Sequence, residues 1–463
     1  MATVILGGGI TGLGAGYFLS KAGESITVIE KRDSIGGMAA SFKHKDFTFD
    51  VGPHKLYSTI PGIMNVYKEL LGDDCVVVKK KNSLRLCGRY FSFPIKPLQF
   101  IIRFPKIKAI SCSFSYLLTL MNKKTDIINY EDYFLSGFGN AAYKLLFENF
   151  CWKVWGDPKK ISAELAKRRI PVPNITELVK NMLVKKQKPE FSADTFYYPK
   201  KGVGEVCEKL AENILKNGSI SYGCQPSKIM VENGKITKIE IKKNIGKELL
   251  KNPKNVISTL YLQDVLPLFE PSPPQHILDA AQALKYRSLI IFYIIINKPK
   301  VLDDHWIFFP EKDFIFNRVS EQKNFCKDIA PENKTVLTAE ISCDAEDYFF
   351  SLPQEELASL VMGDLEKAGL ISRNDAAESH VIKIEKMYPV YDLSYKKNLQ
   401  VVLDWLNSIS NFYTIGRQGL FAYTNTDHSI DMAQKLAEHI IKNKTRDDWN
   451  YTIKYFDSYK IVD

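Results

Sequence analysis

The chain has no uninterrupted apolar run of the roughly 18 residues that a membrane-spanning helix needs. Its best candidate, SLIIFYIIIN at 288–297, is only of strand length. It has no C-x-x-C pair: the eight cysteines, at 75, 87, 112, 151, 207, 224, 326 and 343, are scattered, with no Cys/His cluster of metal-ligand spacing. No metal is therefore expected, and a reduced, cytoplasmic location follows. The first residues already read as a strand, without the basic region, apolar stretch and cleavage site of a signal peptide. There is no fixed-period repeat or low-complexity segment, and no recognisable Ser/His/Asp or Cys/His constellation for nucleophilic catalysis.

What is present is globular: 463 residues, 45% hydrophobic and 25% charged, long enough for two or three domains. The formal charge of +10 would suit nucleic acid, a membrane surface or an anionic small substrate. Much of it lies in short lysine clusters such as VVKKKN and LVKKQKPE, which read as solvated surface. Without a basic tail or a repeated aromatic-basic pattern, no nucleic acid is expected as a partner.

The opening residues are the most informative. ATVILG is an apolar run of strand length, glycines follow at once, and TGLGAGYFLSKAG has helical spacing at Leu13, Tyr17, Phe18 and Ala22. The G-x-G-x-x-G pattern falls on Gly7, Gly9 and Gly12. The first serves the tight turn, the second lets a pyrophosphate approach the backbone, and the third lets helix and strand pack closely. Amides at the helix start would face the phosphates. A second strand, SITVIE, ends in Glu30, placed to accept hydrogen bonds from ribose hydroxyls. FAD and NAD share this fingerprint. The following EKRDSIGGMAASF adds Arg32 and a second glycine turn at Gly36 and Gly37, which suits a longer, extended dinucleotide.

Further along, FTFDVGPHKLYST reads as a strand delivering His54 to a loop. From about 80 to 190 the chain turns aromatic and basic with helical spacing. Its first part, GRYFSFPIKPLQFIIRFPKIKAISCSFSYLLTLM, is expected to form packed core helices, with a membrane-touching amphipathic region as the alternative and peripheral contact at most. SISYGCQPSKIMVENGKITKIEI reads as strands joined by an Asn-Gly hairpin, and KNVISTL as a further strand. LKYRSLIIFYIIINKP, HWIFFPEKDFIFNRVS and KTVLTAEISC are successive strands of a second sheet. Near the end, a glycine loop precedes a helix with Ile430, Ala433, Leu436, Ile440 and Ile441 on one face.

The glycine pattern, Glu30 and the Gly36–Gly37 turn together resemble the amine-oxidase-like class of FAD proteins, which includes protoporphyrinogen oxidase and UDP-galactopyranose mutase. GRQGLFAY with the trailing Asp427, WIFFPEKDFIFNRVS with TVLTAEIS, and MYPVYDL at 387–393 resemble the mutases in particular. The implied fold is α/β: a Rossmann-like FAD-binding domain (1–80, 190–260 and 400–463), interleaved with a substrate domain (81–189 and 261–399). That second domain would have a helical part at about 95–185 and an antiparallel sheet. The implied cofactor contacts are Gly7, Gly9, Ile10, Thr11, Gly12, Glu30, Lys31, Gly36, Gly37, Met38, His54, Gly416, Arg417, Tyr423 and Thr426. The final helix would begin beside the flavin, its dipole stabilising negative charge there.

The implied activity is interconversion of the pyranose and furanose forms of a UDP- or dTDP-linked sugar for cell-surface polysaccharide, with the N5 of reduced FAD as nucleophile. NAD(P)H or another reductant would prime the flavin. Because the cofactor is the nucleophile, the protein needs little acid/base machinery. Guanidinium groups match a diphosphate bidentately and tyrosine hydroxyls add neutral donors. Arg318, Arg169, Tyr388 and Tyr423 are thus the substrate candidates, and His54, Arg318 and Arg417 those closest to the chemistry. ISAELAKRRIPVP, with Arg168 and Arg169, resembles the mutases' mobile-loop segment but carries Pro173 where bacterial members have an arginine. The alternative is an amine oxidase- or protoporphyrinogen oxidase-like oxidoreductase. Many amine oxidases place a lysine near N5, and none aligns within LKYRSLIIFYIIINKP. A non-catalytic flavoprotein is the third reading, disfavoured by an intact-looking flavin site.

Overall fold

A computed structural model describes residues 2–93, 99, 102–121, 126–169 and 195–461. Pro173, Ile170 with Pro171, and the LVKKQKPE cluster lie outside the described residues.

Two sheets position the site. The first is five-stranded and wholly parallel, in the order Phe412–Thr414, Val256–Ser258, Thr3–Leu6, Ile26–Ile29, Ser219–Ser221. Its three central strands, VIS, TVIL and ITVI, are short runs buried at all but one position, as a parallel sheet covered by helices requires. The helix Ile10–Lys21 is buried nearly all round, because it lies between other helices as well as on the sheet. Its small residues allow this: a Cβ on Gly14 would come within 3.0 Å of the Ala433 Cβ in the final helix, Thr426–Ile441. Ala22 falls just past the helix end and is exposed.

The second sheet has seven strands, in the order Ala376–Pro389, Tyr286–Ile296, Thr335–Cys343, Arg318–Glu321, Trp306–Phe308, Asn82–Leu86, Arg89–Phe93. Every pairing is antiparallel except that between Trp306–Phe308 and Asn82–Leu86. The strand-like runs expected at 286–297, 306–320 and 334–343 all fall in it. The Asn-Gly hairpin is also present: Asn233 and Gly234 both take left-handed backbone (φ 52° and 68°) between Gln225–Glu232 and Lys235–Lys242.

Two packing expectations fail. The helix Lys106–Met121 fully buries none of its residues, so the expectation of a packed core helix there is wrong. Its inward side carries small and polar groups, and its large apolar side chains point out. The next helices do pack: Tyr130, Phe134 and Phe138 are buried, and Phe134 stacks on Phe147 with ring centroids 3.9 Å apart. In the final helix Ile430, Ala433, Leu436 and Ile440 are buried as expected, but Ile441 is exposed, one position beyond the buried face.

Candidate functional site

The loop after the first strand begins with Gly7 at φ 108°, a left-handed conformation that favours glycine. A Cβ there would also come 2.3 Å from Thr259 Oγ1, and one on Gly12 would come 2.1 Å from the Gly7 carbonyl oxygen. Both positions are closed by protein. Gly9 differs: it has φ −75° and nothing within 4 Å of its Cβ position. It lines a cavity of about 520 Å³ that runs from this loop to the second sheet.

Glu30 organises the loop. Its carboxylate accepts hydrogen bonds from the N–H of Gly8 (2.6 Å) and of Arg32 (2.8 Å), while lining the cavity. The second glycine turn is tied to the first, since the Gly36 N–H donates to the Gly8 carbonyl at 2.8 Å. Gly36, Gly37 and Met38 continue the same wall.

His54 stands next along the cavity, its Nε2 within 3.0 Å of the Met38 carbonyl and 3.1 Å of the Val51 carbonyl. Two acceptors on Nε2 fix the proton there and leave Nδ1 as the acceptor. Burial, with the nearby Arg417 and Arg318 charges, pushes its pKa down to about 4, so the ring is neutral. Gly416, Arg417, Tyr423 and Thr426 arrive from the other end of the chain. Asn425, Thr426 and Ser429 present the N-terminus of the helix Thr426–Ile441, the positive end of its dipole, to the cavity. The Asn425 N–H donates to His428 Nδ1 at 3.1 Å and closes the helix start.

At the far end Tyr388 and Tyr423 stack with centroids 5.3 Å apart and planes inclined by 11°. Arg417 lies over both rings, at 5.5 and 5.8 Å, and Arg169 over Tyr423 at 5.3 Å and Trp155 at 5.8 Å. Burial pushes the Tyr388 phenol well up, so it is a neutral donor at any working pH. Arg318 forms a bidentate pair with Glu340, through Nη2 to Oε1 at 2.8 Å and through Nε to Oε2. The two residues are directly opposite across antiparallel strands. The cavity wall holds five basic side chains, Arg32, Lys55, Arg169, Arg318 and Arg417, against the two acids Glu30 and Glu340. Lys383 instead turns its ammonium to the other face of its strand, onto the Phe350 and Leu352 carbonyls at 2.7 and 2.6 Å.

The structure thus brings Gly7, Gly9, Ile10, Thr11, Glu30, Gly36, Gly37, Met38, His54, Arg169, Arg318, Tyr388, Gly416, Arg417, Tyr423 and Thr426 around one cavity. It does not bring Lys31, which is exposed and lies off the wall. Gly12 lies behind the loop, where it serves packing. Arg168 is buried in an ion pair with Glu164 (2.7 Å) and Asp457 (3.1 Å), and Asp427 is buried off the wall. Glu340, Trp306 and Lys55 line the cavity and carry no sequence signal of their own. Glu340 sits inside TVLTAEIS, but only the strand register sets it against Arg318. An open Cβ position at Gly9, left-handed glycines at 36 and 37, a helix N-terminus and an excess of positive charge fit an extended dinucleotide.

Residues 5–70 match the family model of NAD(P)-binding Rossmann-like domains, and residues 170–388 that of flavin-containing amine oxidoreductases. The second match supports a flavin cofactor. Among solved structures, reduced UDP-galactopyranose mutase superposes with a TM-score of 0.85 at 22% identity, over 99% of this chain and 98% of that one. A protein of an Exiguobacterium species, described as a protoporphyrinogen oxidase, superposes with a TM-score of 0.74 at 18% identity, over 96% and 99%. A curated relative, the 15-cis-phytoene desaturase of Synechococcus elongatus, is 26% identical over 164 residues, or 34% of this chain and 32% of its own length. The chain therefore spans about a third of that relative.

Proposed function

We propose, for a chain whose fold makes it a mutase-like member of the amine oxidase-like FAD superfamily, that it holds FAD along the glycine cradle and interconverts the ring forms of a nucleotide sugar. When bound and reduced, the flavin supplies the nucleophile for the anomeric carbon. The chain supplies the rest. Gly9, Gly36 and Gly37 let backbone amides approach a pyrophosphate. Glu30 keeps the loop in shape through the Gly8 and Arg32 amides and has lone pairs left for ribose hydroxyls. The neutral ring of His54 is fixed by two carbonyls and adds no charge to the wall.

Arg417 and Arg169 bracket the Tyr388–Tyr423 stack, and this is the observation that carries the reading. Two guanidinium groups around two phenols make a cationic, hydrogen-bonding end to the cavity, suited to a nucleoside diphosphate. Arg318 contributes differently from the sequence expectation: Glu340 takes up two of its donors and offsets its charge, so the pair orients polar groups more than it attracts phosphate. We take the division into a cofactor domain (1–80, 190–260, 400–463) and a substrate domain (81–189, 261–399) as part of the same reading.

A second reading, an oxidoreductase, draws on the desaturase similarity and on Lys55 in the cavity wall, a candidate counterpart of the oxidases' lysine. The five-to-two excess of basic groups speaks against an apolar hydrocarbon substrate. Titration separates the two readings. UDP and UDP-sugars should perturb the visible flavin spectrum of the wild type saturably, and Arg417→Ala should weaken that by at least about tenfold. An unchanged spectrum with UDP, together with flavin reduction by an amine or a polyene, would overturn the mutase reading.

A further inference from the structure

The helix Lys106–Met121 is built the opposite way round from a core helix. Its inward side is half-buried and made of small or polar residues: Ala109, Cys112, Ser115, Tyr116 and Thr119. Ser115 Oγ accepts from the Ala141 N–H at 3.0 Å, and a Cβ on Gly139 would come 2.9 Å from the Tyr116 nitrogen, so this side is moored closely to the neighbouring turn. The outward side carries Ile107, Ile110, Phe114, Leu117, Leu118 and Met121, exposed by 84, 70, 63, 58, 46 and 80%. At the helical repeat these six fall within an arc of about 100°, along a rod of about 24 Å. Scattered exposed apolar residues need no explanation, but a continuous stripe of six does.

Charge identifies what covers it. Residues 75–125 contain eleven lysines and arginines and no aspartate or glutamate, more positive charge than the net of the whole chain. Arg103, Lys106 and Lys108 are exposed at the start of the helix. A second copy of this face would set the exposed Arg103, Lys106 and Lys108 against their own counterparts. An anionic surface complements it. Among the described residues no helix is long and apolar enough to cross a membrane.

We propose that the helix Lys106–Met121 seats the protein on an anionic lipid bilayer, lying in the interface plane. The apolar stripe enters the headgroup–acyl boundary, and Arg103, Lys106 and Lys108 meet the lipid phosphates. This stands apart from the reading of the cavity and survives its failure. The test is co-sedimentation of the full-length holoprotein with vesicles of phosphatidylcholine, alone or with phosphatidylglycerol. Binding to the anionic vesicles is expected to exceed binding to neutral ones at least about tenfold and to fall with salt. The double variant Phe114→Ser/Leu117→Ser should lose at least about tenfold in partitioning. It should keep the wild-type circular dichroism and flavin absorbance, because neither side chain is buried. Lys106→Gln/Lys108→Gln should lose binding to the anionic vesicles only. Equal sedimentation with both vesicle types, or binding unchanged in the Phe114/Leu117 variant, would overturn the proposal. So would a wild-type dimer in solution that this variant turns into a monomer, since the stripe would then belong to a second copy.

Discussion

Two glycines of one motif should respond to the same substitution in opposite ways. At Gly9 the backbone has φ −75°, which alanine adopts freely, and the new methyl meets nothing within 4 Å. Relief of unfolded-state entropy is worth about 0.4–1 kcal/mol, and the poorer helix cap costs about as much. The apoprotein of Gly9→Ala should therefore keep wild-type stability to within about 0.5 kcal/mol. Its methyl, however, occupies the space through which a pyrophosphate approaches the loop. An overpacking cost of about 1–3 kcal/mol converts to about a 5- to 150-fold weaker flavin affinity. At Gly12 the methyl would instead lie 2.1 Å from the Gly7 carbonyl oxygen, so backbone must move and the apoprotein loses about 3 kcal/mol or more. Urea unfolding of both apoproteins, with titration of each by FAD through quenching of flavin fluorescence, reads both effects. Wild-type FAD affinity in Gly9→Ala would refute the placement of the phosphates, and unfolding of Gly9→Ala like Gly12→Ala would refute the distinction itself.

Other outcomes follow from the same geometry. Arg318→Met strands the Glu340 carboxylate, whose side chain is only 2% exposed, and should cost about 3–5 kcal/mol in urea unfolding. Adding Glu340→Met should recover most of that, and a double variant as unstable as the single would show the pair is not what the charge was needed for. Half-buried His54 has its pKa lowered to about 4 and buried Asp50 has its raised to about 6. Between pH 4 and 6 the unfolded chain binds the proton at residue 54 more readily than the fold, so that group adds stability as pH rises. Asp50 does the reverse, and the two slopes nearly cancel. Relative to the wild-type apoprotein, the stability of His54→Asn should therefore fall more steeply by about 1.4 kcal/mol per pH unit from pH 4 to 6, and that of Asp50→Asn should change by as much in the opposite direction. A slope unchanged from wild type in both variants contradicts this reasoning.

The sequence was most readable where local pattern and tertiary role coincide. The first strand, the glycine loop and Glu30 lie within thirty residues, and each has a physical reason tied to its neighbours. The strands at 286–296 and 335–343 were legible as apolar runs because both faces are buried. Glu340 was not, because its role comes from the register that sets it opposite Arg318, and register is a property of two strands. Lys31 is adjacent to Glu30 in sequence, yet the strand has ended at Ile29 and Lys31 lies exposed in the bend that follows, off the cavity wall. The helix at 106–121 has core-like periodicity, and periodicity reports that an apolar face exists without saying whether protein covers it.

The most direct measurement is nuclear magnetic resonance of UDP-galactopyranose incubated anaerobically with the dithionite-reduced protein, alongside the oxidised protein as control. The furanose form is expected only with reduced protein, with the flavin still reduced after many turnovers. No ring interconversion of any UDP- or dTDP-linked sugar, with the flavin instead reoxidised in step with turnover of an amine or porphyrinogen under oxygen, would contradict it.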